Sequence, residues 1–188
     1  MNKDKLNVGD ICLYHGKSFV AKSIQYFMKV YAKKLGLPKR DKLYNHAFAI
    51  VEMWGKKYVV EALADGMNIQ LLEKVYPDKK WKDIIVLTPR KPYSKKEKEQ
   101  FNKEALKVVM VPTRYGYSDI LFHSRAILSK KGYDVWKSKG EKDDDRMHCT
   151  EAVATLADKV RYDTFERPWS TNPLDLELSS KYRIKKVD

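Results

Sequence analysis

Two apolar runs, residues 45–51 and 57–63, flank a short segment containing Trp54-Gly55. Both are rich in Val, Ile, Ala, Phe and Tyr, and together they read as a β-hairpin. Polarity inside them is concentrated at His46 and Glu61. Side chains alternate along a strand, so His46, Phe48 and Ile50 share one face, as do Val59, Glu61 and Leu63 on the partner. If the turn spans 52–55, His46 stands directly opposite Glu61; if it spans 53–56, the two lie on a diagonal. Both registers put imidazole and carboxylate on the same face, within reach of each other. An odd-length turn would separate them. A charged group among apolar neighbours is costly unless it is paired, so the pair is expected to be either a catalytic dyad or a structural ion pair at a sheet edge.

The remainder of the chain supplies elements to pack around this hairpin. Residues 6–14 read as a strand interrupted at Gly9-Asp10, and 66–75, 84–88 and 182–187 as further strands. Apolar spacing predicts an amphipathic helix over 18–35, stopped by Gly36 and Pro38. Ser94 and Glu97 form a capping box that starts a second helix with the inner stripe Phe101, Ala105, Val108 and Val109. Residues 112–117 read as a loop, 118–130 as a shorter helix, 137–146 as a polar loop, and 149–160 as a well-marked helix. Central strands between helices predict a single α+β domain over 1–188, with a mainly antiparallel sheet. The 188 residues hold four Trp, 12 Tyr and six Phe, ample material for one core.

Cys149 begins the stripe Cys149, Val153, Leu156, Val160, which places its thiol in the first turn of a helix and facing the body of the protein. Unpaired N–H groups and the positive end of the helix dipole favour a thiolate there. The same N–H groups can stabilise an oxyanion formed when that thiolate attacks a carbonyl. A free cysteine is most often a small buried apolar side chain; with His46 and Glu61 beside it, a nucleophile becomes the better reading. Cys12 lies among apolar neighbours and is expected in the core. His15 and His148 do not fall at metal-ligand spacing around Cys149, so no metal or other cofactor is expected. His123 falls inside the 118–130 helix and is expected to be structural or exposed.

Several short motifs, in this order, resemble the YiiX/YebB-like family of circularly permuted, NlpC-type papain-fold cysteine hydrolases. They are Gly9-Asp10-Ile11-Cys12-Leu13, Asn45-His46-Ala47-Phe48-Ala49-Ile50-Val51, Tyr58-Val59-Val60-Glu61-Ala62 and His148-Cys149-Thr150-Glu151-Ala152-Val153-Ala154. The segment Asn172-Pro173-Leu174-Asp175-Leu176, with Ser179 and Ser180, is also similar. The resemblance runs over residues 8–187. It implies a permuted papain-like (NlpC-type) fold in which Cys149 matches the nucleophile, His46 the general base and Glu61 the group that orients it. Tyr115 resembles the tyrosine that lies beside the nucleophile in this family, and Tyr117 fits the same role.

Three functions follow as expectations. The first is a thiol hydrolase cleaving an amide bond in a peptide, amino-acid or cell-wall-type fragment. The second is a lipid-directed acyltransferase or esterase of the same fold; His148-Cys149-Thr150-Glu151 departs from the Asn-Cys-Glu-His-Phe pattern of the branch resembling lecithin–retinol acyltransferase. The third is a non-enzymatic basic binder. The formal charge of +13 sits in scattered patches that no nucleic-acid motif organises. These patches are expected to set solubility and to associate with anionic cell material. The charged N-terminus gives no signal peptide and no apolar run reaches membrane-spanning length, so a cytoplasmic protein is expected. Glu141 to Arg146 reverses the charge sign just before Cys149, which makes Asp144 and Asp145 candidates for a rim that receives a substrate amine. The double substitution Asp144→Asn, Asp145→Asn is expected to raise KM for amine-bearing substrates; an unchanged KM contradicts that role.

Overall fold

The computed structural model describes residues 3–116, 146–161, 164–165, 168 and 171–185. The strands are β1 (Ile11–Tyr14), β2 (His46–Met53), β3 (Lys56–Leu63), β4 (Gly66–Leu71), β5 (Ile84–Pro89), β6 (Arg114–Tyr115), β7 (Arg146–Met147) and β8 (Tyr182–Lys185). The helices are α1 (Phe19–Lys34), α2 (Leu72–Val75), α3 (Lys95–Met110), α4 (Cys149–Val160) and α5 (Pro173–Leu178). Six strands form one antiparallel sheet in the order β4-β3-β2-β1-β5-β8, and β6 and β7 pair in parallel as a separate two-residue ladder. The architecture is α+β, with an antiparallel sheet packed against helices.

The hairpin occupies the middle of the large sheet, and both of its faces are covered, which is why its strands read as nearly continuous apolar runs. On one face Leu13, Ala47, Ala49, Val51, Val60 and Ala62 pack against Phe101 and Ala105 of α3 and Val153 and Leu156 of α4. On the other, Cys12, Phe48, Ile50 and Val59 pack against Leu72 of α2 and against Tyr76 and Trp81. A third, smaller cluster seats Met28, Tyr31 and Ala32 of α1 on Leu174 of α5.

Local chemistry sets the helix starts. Ser18 Oγ accepts from the Ala21 N–H at 3.1 Å, and Ser94 and Glu97 complete the expected capping box. Asn172 caps α5 through the Leu174 and Asp175 N–H groups, with Pro173 at the first helical position.

Several boundaries differ from the sequence-based expectation. The 6–14 run is a strand only from Ile11, because Gly9 adopts φ +85° and turns the chain after a 3-10 turn at Lys3–Lys5. The 66–75 run leaves the sheet after Leu71 and becomes the single-turn α2, burying Leu72; a 3-10 helix over Asp78–Asp83 follows. The loop over 112–117 contains β6, and α5 is a helix that the sequence pattern did not predict. Tyr117, His123, the helix expected over 118–130 and most of the 137–146 loop lie outside the described residues.

Gly66 marks a point of close approach. It opens β4 at φ +112°, a region that side chains disfavour, and a Cβ built on it falls 2.4 Å from the Thr113 carbonyl oxygen. Thr113 leads directly into β6. Gly66→Ala is therefore expected to cost roughly 1–3 kcal/mol of stability, read by urea denaturation; a variant as stable as the parent contradicts the close packing of these two segments.

Candidate active site

The hairpin adopts the register expected for a turn over 53–56, closed by one further pair. Trp54 (φ 51°) and Gly55 (φ 69°) alone form a two-residue turn, and Met53 pairs with Lys56. Both left-handed residues fit the twist of a two-residue hairpin loop. The resulting register pairs Ala49 with Val60, so Glu61 lies on a diagonal from His46 and on its face. His46 Nε2 and Glu61 Oε2 are 2.6 Å apart. Glu61 is 1% exposed and the His46 side chain 15%.

A residue absent from the sequence-based set completes this arrangement. The Tyr76 hydroxyl donates to the same Glu61 Oε2 at 2.8 Å. Tyr76 is buried, its ring stacks on Phe48 at 4.2 Å, and the Trp81 indole N–H donates to its backbone carbonyl at 3.0 Å. Burial, and then the Glu61 carboxylate, push the Tyr76 phenol far above its ordinary range, so it stays protonated and donates. Glu61 Oε1 is buried and has no hydrogen-bond partner among the described residues. The carboxylate therefore depends on the two groups that share its other oxygen.

Cys149 starts α4, as its stripe predicted, and is 5% exposed. His148 is the N-cap: its Nδ1 accepts from the Glu151 N–H at 3.1 Å, while the Glu151 carboxylate accepts from the His148 N–H at 3.3 Å. Thr150 Oγ1 donates to the Thr171 carbonyl at 2.6 Å, tying the first turn to the segment that enters α5. The helix crosses β2 so that the thiol meets His46 and the Ala47 N–H. With His46 Nε2 committed to Glu61, Nδ1 is the ring nitrogen left for the sulfur.

The electrostatics of the pair follow from this geometry. Burial pushes the Cys149 thiol up, but the facing His46, by charge and by hydrogen bond, and then His148 and the Ala47 N–H, hold it below the ordinary thiol range. Burial likewise pushes His46 down and is outweighed by Cys149 first and Glu61 second, so its imidazolium persists well above the ordinary histidine range. Cys12 is the opposite case. It is fully buried and faces Asp10, and its thiol is raised well above the free value.

The remaining candidates are placed less centrally. Tyr115 pairs with Met147, two residues before Cys149, and packs half-buried against the main core. Asp144 and Asp145 lie outside the described residues. His15 holds the Leu43 carbonyl at 2.7 Å through Nδ1. Among the described residues no group of three or more His, Cys, Asp and Glu converges as a metal site. Cys149, His46 and Glu61 form a chain of pairwise contacts in which Glu61 holds His46 Nε2. Among the described residues no helix is long and apolar enough to cross a membrane.

Comparison with solved structures places the architecture. The metalloprotein YiiX from Escherichia coli O157:H7, a DUF1105 protein, superposes with a TM-score of 0.61 at 15% identity, covering 97% of each chain. The fold is YiiX-like. No protein-family model matches the sequence. No curated protein matches it either. The YiiX-like likeness spans both the hairpin that carries His46 and Glu61 and the helix that begins at Cys149.

Tyr76→Phe is expected to cost about 1–3 kcal/mol in chemical denaturation, because it leaves a buried carboxylate with one partner fewer. A loss below a few tenths of a kcal/mol contradicts the role given to the Tyr76 hydroxyl.

Proposed function

We propose that this chain is a cysteine hydrolase with a permuted papain-like arrangement, cleaving an amide bond in a peptide, amino-acid or cell-wall-type fragment. The observation that carries the reading is the unbroken relay from the Cys149 thiol through His46 to Glu61, closed by Tyr76. A structural ion pair needs only two opposite charges. This relay instead ends on a thiol at a helix N-terminus, with its pKa drawn down, and it fixes the imidazole by a carboxylate on the far side.

In this reading His46 holds the thiol proton at Nδ1, and the Cys149 thiolate attacks the substrate carbonyl. The new S–C bond pushes the carbonyl electron pair onto oxygen, and the oxyanion is stabilised at the start of α4. Collapse breaks the C–N bond, and the amine leaves with the proton from His46. A water then gives a proton to His46 and attacks the thioester, releasing the acid and the thiol. Glu61 keeps the imidazole oriented and favours its charged form throughout, and Tyr76 keeps Glu61 in place.

Two outcomes test this. Against a panel of amide and ester substrates, Cys149→Ala is expected to abolish turnover while its thermal stability stays near that of the parent. Substantial turnover in the variant, or no turnover by the parent on any member, contradicts the reading. The pH profile supplies the second. Thiolate forms as pH rises through the lowered thiol value, and imidazolium is lost as pH rises through the raised His46 value. kcat/KM should accordingly rise at a pH below the ordinary thiol range and fall only above the ordinary histidine range. An acid limb at the free-thiol value contradicts activation by His46.

A further inference from the structure

A groove of about 830 Å³ runs between α1 and the segment 36–43. Its floor is apolar, made by Val30, Leu37, Pro38 and Leu43. Its rim carries Lys22, Lys29, Lys33 and Lys39, all exposed, and none of these has an acidic partner among the described residues. Arg40 also lines it, but its charge is met by Glu177. Asp41 is the single acid on the lining. The volume lies within the roughly 300–1,000 Å³ usual for small-molecule sites.

Four lysines against the one acid Asp41 around one concavity leave a positive potential over an apolar surface. A ligand complementary to both features has an anionic head and an apolar chain. A small inorganic anion would leave the floor wet, and an uncharged hydrocarbon would leave the lysines without counter-charge. A flat bilayer would meet the rim and not fill the concavity.

The groove is also tied to the candidate site. Gln25 on α1 donates to Asn45 Oδ1 at 3.0 Å and to the Gly16 carbonyl at 2.8 Å, and the Gly16 N–H donates to Asn45 Oδ1 at 2.7 Å. Asn45 immediately precedes His46. On the other side, α1 rests on Leu174 of α5, whose approach holds Thr150 next to Cys149. Thus α1, which forms one wall of the groove, is anchored to Asn45, next to His46, and to Leu174 of α5.

We propose that this groove binds a single-chain anionic amphiphile, its chain along Val30, Leu37 and Leu43 and its head group among Lys22, Lys29, Lys33 and Lys39. The proposal concerns binding and stands apart from the assignment of Cys149 as a nucleophile. The test is calorimetric titration of the full chain with dodecanoate below its micelle concentration, beside dodecyltrimethylammonium, acetate and anionic phospholipid vesicles. Dodecanoate is expected to bind saturably at one site, with dodecyltrimethylammonium and acetate showing no saturable binding. Lys29→Glu combined with Lys33→Glu is expected to weaken dodecanoate at least about tenfold. No saturable binding of dodecanoate, equal binding of the cationic amphiphile, unchanged affinity in the folded variant, or binding to vesicles without binding of monomeric dodecanoate each overturns the proposal. Because the ligand-side comparisons use the parent protein, they decide the matter even if the double variant does not fold.

Discussion

The buried carboxylate of Glu61 is the constraint around which the centre of this molecule is arranged. A carboxylate 1% exposed between two apolar strands would be strongly destabilising without donors. Its donors come from two directions: His46, a diagonal neighbour on β2, and Tyr76, just beyond the short helix that ends β4. Each donor requires its own support. Tyr76 is fixed by its stack on Phe48 and by Trp81, and His46 by its position at the start of β2, next to the Asn45 network. The early departure of β4 from the sheet is part of the same solution, since a strand continued through Val75 would not return Tyr76 over this face.

The same carboxylate links packing to chemistry. By occupying His46 Nε2 it leaves Nδ1 for Cys149, and by its charge it helps keep the imidazole protonated next to a thiol that burial alone would hold neutral. Cys12 shows what a buried thiol becomes without such a partner: beside Asp10, its thiol is driven up. The contrast lies in the surroundings, because both cysteines are almost wholly shielded from water.

Much of this was legible in the residues. Period-two alternation fixed the shared face of His46 and Glu61, and the 3.6 period fixed Cys149 at a helix start, because both depend on local geometry alone. Of the two registers that alternation allowed, the structure adopts the one expected for a turn over 53–56; the extra pair that closes it, Met53 with Lys56, was less accessible. A bulky Trp54 at positive φ is an unusual turn residue, so composition did not point to the two-residue turn. Tyr76 left no trace, since its importance comes from a chain reversal after Leu71 that apolar alternation through Val75 disguises. The short α5 was hidden for a similar reason: six residues carry too little periodicity, although Asn172-Pro173 is a helix-start signal in retrospect. Of the dispersed basic residues, Lys22, Lys29, Lys33 and Lys39 meet around the α1 groove, a juxtaposition that depends on where residues 36–43 return against the helix.

In the proposed reading His46 activates Cys149, and Cys12 is inert. The most direct measurement is the rate of alkylation of each cysteine by iodoacetamide, followed by mass spectrometry at neutral pH in the parent and in His46→Ala. Rapid labelling of Cys149 that largely disappears in His46→Ala is expected, with Cys12 unreactive in both folded proteins. Equal, slow labelling of the two cysteines, or labelling of Cys149 that does not depend on His46, would contradict it.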